Sequence, residues 1–247
     1  MIHTRPLHVF FVLLALKVSV VGLDAAAQSA VPKTAAPVRK AKLTAAAVEE
    51  KLARLTALCQ NNQRKEVVEE FGDEDIVGWL DAFENKAEGT SKVVNALHKR
   101  GTSFSAVGNH ERAREDFERG VEFSPSNGYM WNSLGGVYGR LGESEKALDA
   151  FNKAFEFVCA AHKSKPLGWM PISATLSAAS ILMQQTEYPE AIEVLNHYSD
   201  EEIRKMGTYW ACRMLRAYGQ VYLGTGREAE AMAKFKAALE LETTKEE

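Results

Sequence analysis

Six small or aromatic residues between Gly135 and Ala154 stand at fixed distances, and those distances recur elsewhere in the chain, which leaves few folds open. In WNSLGGVYGRLGESEKALDAF, residues 131–151, Trp131, Leu134 and Tyr138 are three and then four residues apart, so on a helix they share one face. Gly135 lies between them without a side chain and lets a second helix approach closely. Leu141-Gly142 ends the first helix, since glycine supplies the left-handed conformation that helix C-termini often adopt. Ser144 is placed to cap the second helix, and Ala147, Phe151 and Ala154 form its inner face. The stretch therefore predicts an antiparallel helical hairpin.

Moving back 34 residues, Leu97, Gly101, Phe104, Gly108, Ala113 and Phe117 take the places of Trp131, Gly135, Tyr138, Gly142, Ala147 and Phe151, and Pro125 closes the unit. Near the C-terminal end Gly219, Tyr222, Gly226, Ala231, Phe235 and Ala238 repeat the same spacing. A worn unit lies between, with Ala179, Leu182, Ala191 and Leu195 in matching places and Thr186 where the glycine would be. Its offset is ten residues longer than the period, and the excess falls at 162–171, around Lys165-Pro166-Leu167-Gly168-Trp169, where a loop is expected.

The set W-x-x-L-G-x-x-Y, then A-x-x-x-F and a closing proline at a 34-residue period, resembles the tetratricopeptide repeat. The first unit departs from it at Leu97 and Arg100, and the second has Cys159 in place of the proline. The resemblance implies an all-α fold, a right-handed superhelix of antiparallel helical hairpins. Its repeats would span 94–127, 128–161, a degenerate 172–205, and 212–245. Upstream, Leu43–Cys59 and Gln63–Phe71 read as an amphipathic helical pair and Ile76–Phe83 as a third helix, none of them in the repeat register. Residues 44–93 are accordingly expected to be a helical N-terminal cap or degenerate repeats.

The first residues are of another kind. Arg5, the apolar run Val9–Leu16 and the small residues Ala25-Ala26-Ala27 before Gln28 are the three parts of a signal peptide, assigned to 1–27. Export to a periplasm or the exterior is expected. The alternative is an uncleaved membrane anchor, because apolar residues resume at Val18–Leu23 after Lys17. Residues 28–43 hold Lys33, Arg39, Lys40 and Lys42 with neither aromatics nor acids, and read as a disordered basic linker. Cys59, Cys159 and Cys212 are odd in number and far apart, unlike the cysteines of a disulfide-stapled domain.

A net charge of -3 argues against a nucleic-acid partner, whose phosphates call for a basic surface. Gly224-Thr-Gly226-Arg-Glu-Ala229 matches a dinucleotide fingerprint but lacks the βαβ unit and downstream acid that the chemistry requires. Asp73, Asp75, Gly78 and Glu84 approach a calcium-loop spacing, yet Val77 stands where a ligand oxygen belongs, and capping of a helix explains the acids equally well. The histidines are scattered, and H-E-x-x-H, C-x-x-C and G-x-S-x-G are all missing from the sequence. No catalytic residue, cofactor or metal is expected.

What remains is binding. In the resemblance, exposed positions of each first helix line a concave peptide groove. Carried over, these are Asn95, His98 and Thr102; Tyr129, Asn132, Gly136 and Arg140; Ser173, Leu176 and Ser180; and Arg213, Arg216 and Gln220. The lysine and asparagine clamp of the chaperone-tail subset is absent, since the matching places carry His98, Thr102, Ser133, Ser173 and Ser177. Arg213 and Arg216 share a helix face and suit carboxylates, so the expected ligand is a protein or peptide with an acidic segment. The expected function is a non-enzymatic adaptor or assembly factor. The alternative is a self-associating structural protein, a homo-oligomer joined through the last repeat.

Overall fold

The computed structural model describes residues 43–161 and 168–243, and every regular element among them is helical. The signal peptide and linker expected before residue 43 lie outside the described residues, as does most of the expected insert. Five antiparallel hairpins follow one another along the chain: α1 (Ala45–Gln60) with α2 (Arg64–Phe71), α3 (Lys86–Ala106) with α4 (His110–Phe123), and α5 (Gly128–Arg140) with α6 (Ser144–Ala161). Then come α7 (Trp169–Gln184) with α8 (Tyr188–Leu195), and α10 (Thr208–Gly224) with α11 (Glu228–Thr243). The short helix α9 (Asp200–Lys205), at the end of the degenerate repeat expected over 172–205, sits between the last two hairpins; a Ser199–Glu202 capping box starts it.

Each hairpin bends at one residue with positive φ, two positions after its first helix ends. That residue is Gly108 (87°), Gly142 (77°) and Gly226 (73°) in three of them. Thr186 (63°) serves in α7–α8, so the turn survives there without the glycine. Asn62 (57°) serves in α1–α2, and this corrects the expectation that nothing upstream of residue 94 keeps the register. Aligned on the turn, Leu55, Leu58, Val67 and Phe71 occupy the places of Gly135, Tyr138, Ala147 and Phe151, and all four are buried. Bulky aliphatics in place of glycine and alanine hide the repeat from a search by residue type. The third upstream helix is instead a short 3-10 turn, Val77–Ala82, held down by the buried Trp79.

Within a hairpin the spacing is set by a glycine against a phenylalanine ring. A Cβ added to Gly101 would lie 2.8 Å from the Phe117 ring, and one on Gly135 would lie 2.9 Å from that of Phe151. Alanines 113, 147, 191 and 231 are fully buried on the facing helices, so no larger side chain props the pair apart. Between hairpins, Leu148 on α6 packs against the core on both of its sides.

The helix α3 starts at Lys86, ahead of the expected repeat start at 94, because the Asn85 side chain accepts the Glu88 N–H and caps it there. In the same way α7 begins at Trp169, so the end of the expected loop, Trp169-Met170-Pro171, is helix; proline is tolerated in a first turn. The fingerprint-like glycines at 224–226 end α10 and form its turn, and Asp75 accepts the Gly78 N–H within its own turn.

A buried cation joins the upstream hairpin to the next. Arg100 on α3 makes a two-pronged pair with Asp116 on α4, at 2.9 and 2.6 Å, and donates to the backbone carbonyls of Phe71 (2.9 Å) and Glu74 (2.6 Å) just past α2. Arg112 adds a bond to the Gly72 carbonyl. Carbonyls left open by a helix end thereby receive guanidinium donors. Arg100 replaces the leucine of the repeat pattern for this reason, a role invisible in the sequence.

Gly135→Ala gains about 1 kcal/mol of helix propensity but meets a 4% exposed Phe151 that cannot give way, and overpacking of about 1–3 kcal/mol outweighs it. Urea unfolding should show a net loss, whereas Gly136→Ala on the open side of the same helix should gain up to about 1 kcal/mol. Arg100→Leu strands Asp116 in the core, and the same measurement should show a loss of about 3–5 kcal/mol.

Candidate functional site

The first helices of successive hairpins lie side by side: α3 packs on α5, α5 on α7, and α7 on α10. Three of them, α3, α5 and α7, turn part of their groove positions to one cavity, so residues spaced by a repeat in sequence come together there. Thr102 from α3, Asn132, Gly136 and Arg140 from α5, and Ser173 from α7 line one cavity of about 370 Å3. Ser105, Ala106, Ser133 and Ser177 complete its walls, and the rings of Phe117 and Phe151 reach it from the second helices. Ser105 lies one helical turn beyond Thr102, and the i, i+3 relation that puts both on one face was the available signal for it.

The cavity owes its depth to Gly136. A Cβ there would meet only the Arg140 guanidinium, at 3.8 Å, so the space above the helix backbone is open. Five hydroxyls line it, from Thr102, Ser105, Ser133, Ser173 and Ser177; Thr102 donates to the His98 carbonyl at 2.7 Å, and Ser105 accepts from Arg140 at 3.2 Å. Asn132 contributes a carboxamide whose oxygen is buried and receives no donor among the described residues. A buried acceptor without a partner is costly.

His98 stands behind this wall. Its Nε2 is 3.0 Å from the Ser133 hydroxyl and its ring is tilted 5.8 Å from that of Phe117. Burial, with the charge of Lys99 adding to it, lowers the imidazole pKa, so the ring is neutral at neutral pH. The side chain thus braces α3 against α5 rather than offering a charge to a ligand.

Other expected groove residues fall elsewhere. Asn95 faces a separate hollow between α3 and α1, beside Glu49, Lys92 and Lys99. Gln220 lines a third one with Ser180, Met183, Gln184 and Tyr188. Leu176 is 7% exposed and belongs to the core of the last two hairpins, which corrects its placement in the groove: an apolar side chain at this position turns inward.

Tyr129, 53% exposed, packs its ring 5.7 Å from that of Trp169, equally exposed, at the N-terminal edge of α5 and α7.

Arg213 and Arg216 do share α10 but do not present two open cations. Arg216 gives both of its close contacts, at 2.7 Å, to the Glu242 carboxylate on α11. Arg213 lies over the rings of Tyr209 and Trp210, 5.7 and 5.4 Å from their centroids. Arg140 has no carboxylate among the described residues, its hydrogen bond going to a serine. The cation available at the cavity is therefore Arg140.

No group of three or more His, Cys, Asp or Glu side chains able to hold a metal occurs among the described residues, and none of their helices is long and apolar enough to cross a membrane.

The sequence profile of the tetratricopeptide repeat matches residues 98–157, which hold the C-terminal part of α3, all of α4 and α5, and most of α6. Solved structures share the fold at low identity. A Podosopora anserina protein described as kinesin light chain with nearly identical TPR-like repeats superposes with a TM-score of 0.63 at 13% identity, covering 80% of this chain and 96% of its own. BtubC from P. vanneervenii gives 0.61 at 14%, covering 81% and 82%. The MamA protein gives 0.55 at 22%, covering 80% and 94%. Among curated proteins no sequence matches this chain. Residues 98–157 are tetratricopeptide repeat, and the fold of the described chain is the all-helical, superhelical one that such repeats build.

The lowered pKa of His98 fixes a pH dependence. A base whose folded pKa lies below its unfolded value of about 6.5 contributes stability that is present above that value and lost as pH falls through it. Melting temperature should therefore fall between pH 7 and pH 5, and His98→Gln, which keeps a partner for Ser133 but takes up no proton, should reduce that fall.

Proposed function

We propose that this tetratricopeptide-repeat stack is a non-enzymatic protein-interaction module, an adaptor or assembly factor, which takes an extended segment of a partner protein across α3, α5 and α7. The cavity at Gly136 carries this reading: three successive first helices leave one open position and surround it with hydroxyls, an unsatisfied carboxamide oxygen and one cation without a counter-charge. An extended peptide supplies what is missing. An uncharged side chain drops into the space over Gly136 between the Phe117 and Phe151 rings, the hydroxyls bond its backbone, and an acidic neighbour reaches Arg140. The acidic feature expected of the partner is thereby assigned to Arg140 rather than to the Arg213–Arg216 pair, because Glu242 already engages Arg216.

The proposal includes export, which rests on the Arg5, Val9–Leu16 and Ala25–Ala27 pattern of the sequence alone. An exported adaptor would meet its partner in the cell envelope or outside it, away from cytosolic chaperone tails.

Capture from native extract tests the proposal, using the chain as bait beside Gly136→Gln and Arg140→Glu. Gly136→Gln places in the cavity the residue found at the equivalent position of α10, Gln220, and replaces a helical glycine, so its melting temperature should equal or exceed that of the parent. A partner held by the parent and lost by both folded variants is the expected result. Equal retention by all three baits would move the binding site off this face.

A further inference from the structure

The second helix of each hairpin has two jobs, and in α11 one of them is left undone. Counting from the turn residue, positions 6 and 13 of a second helix face the hairpin that follows. After Gly142 these are Leu148 and Phe155, which pack against the core built from α7, α8 and α10. After Asn62 the first is Val68, packed against the core that contains Val94 and Phe104, and after Gly108 the second is Val121, packed on that same core. After Thr186 the first is Ile192, packed on the core that α10 joins. The third residue before the turn looks the same way: a Cβ on Gly139 would lie 3.6 Å from Ile181 of the next hairpin.

In the last hairpin these three places hold Leu223, Met232 and Leu239, which are 52%, 68% and 60% exposed. Side chains of the kind that earlier hairpins use to hold a neighbour are here presented to solvent, with Phe235 half-buried beside them. The face at the other end differs. Among the described residues no large hydrophobic side chain of α1 or α2 is exposed, so a head-to-tail contact would set an apolar face on a polar one.

We infer that the occupant of this face is the same face of a second copy of the chain, joined by a two-fold axis with the α11 helices antiparallel. The sequence of α11 is self-complementary in that arrangement. With the axis passing between Phe235 and Lys236, Met232 meets Leu239 of the second copy, Phe235 meets the aliphatic stem of Lys236, and Glu228 meets the Thr243 hydroxyl. The remaining acids nearby are already neutralised within the chain: Glu230 by Arg227, Glu242 by Arg216, and Glu240 is 3.9 Å from Lys236. One helix crossing with Leu223 at its edge falls below the area of a standard interface, so the dimer is weak and dissociates on dilution. It lies on the outer face of the last hairpin, whereas the cavity lies on the side lined by α3, α5 and α7, so both can be occupied together.

Sedimentation velocity on the full chain, over a roughly hundredfold range of concentration, tests this directly. The parent should rise from the monomer value toward twice that value and stop. Met232→Lys alone and Leu239→Glu alone should remain monomeric at every concentration, with unchanged circular dichroism and melting, since both side chains are mostly in solvent. An equimolar mixture of the two variants should recover association, because the antiparallel register sets the new lysine of one copy against the new glutamate of the other. A parent that stays monomeric, grows beyond a dimer, or associates as well after either substitution overturns the inference. Failure of the mixture to associate overturns the antiparallel register. None of these outcomes depends on the cavity, which Gly136→Gln tests separately.

Discussion

Everything in this stack depends on how closely two helices of a hairpin can come, and that distance is set by a glycine lying on a phenylalanine ring. Gly101 on Phe117, Gly135 on Phe151 and Gly219 on Phe235 are one contact made three times. Because the approach is tight, the first helices are drawn to one side as a layer, and their outward positions fall into register across hairpins. The groove is thus a consequence of core packing: the helix that buries Gly135 against Phe151 turns Gly136, one residue on, to the open side, where the missing side chain becomes the cavity. The same glycine-rich sequence serves packing and binding on adjacent faces of α5, with the Phe151 ring between them.

Polar chemistry supports one of the two hairpins where that contact is missing. The upstream hairpin has Leu55 and Val67 instead of the glycine and alanine, and its attachment to the next hairpin is reinforced by Arg100. Desolvation of such a cation is compensated only because Asp116 and two backbone carbonyls take up its donors together. Burial holds the Asp116 carboxyl pKa above the usual carboxylate value, and the hydrogen bonds and charge of Arg100 offset only part of that rise. The pair specifies how the first two hairpins meet, a role for which a leucine would be unsuited because it could not close the carbonyls left after α2.

Most of the architecture from 98 to 157 was legible because glycine, alanine and aromatic residues recur there by type. The upstream hairpin was not, since what recurs at Asn62 is a backbone conformation, available to asparagine as to glycine, while the side chains around it changed identity. Site residues divided in a similar way. Thr102, Asn132, Gly136, Arg140 and Ser173 lie where the resemblance to the repeat puts groove positions, whereas Leu176 does not, because the resemblance says which side of a helix a residue starts from and hydrophobicity decides where its side chain ends. The engagement of Arg216 by Glu242 joins residues 26 apart in sequence, and no local pattern announces it.

Thr186 makes the stack mechanically uneven. A β-branched residue in the left-handed region is strained by roughly 1–3 kcal/mol, a load the glycine turns of the other repeats do not carry. The hairpin bearing it also has a second helix of only eight residues. A chain whose neighbours touch only in sequence order opens where its local stability is least, so the α7–α8 turn is the natural seam of the molecule. It stands between α3 and α5, with their shared cavity, and the last hairpin of α10 and α11. Bending at such a seam would alter the curvature of the concave face and bring Ser173 and Ser177 of α7 toward or away from α5, so the elasticity of one turn would tune the width of a groove formed mostly elsewhere.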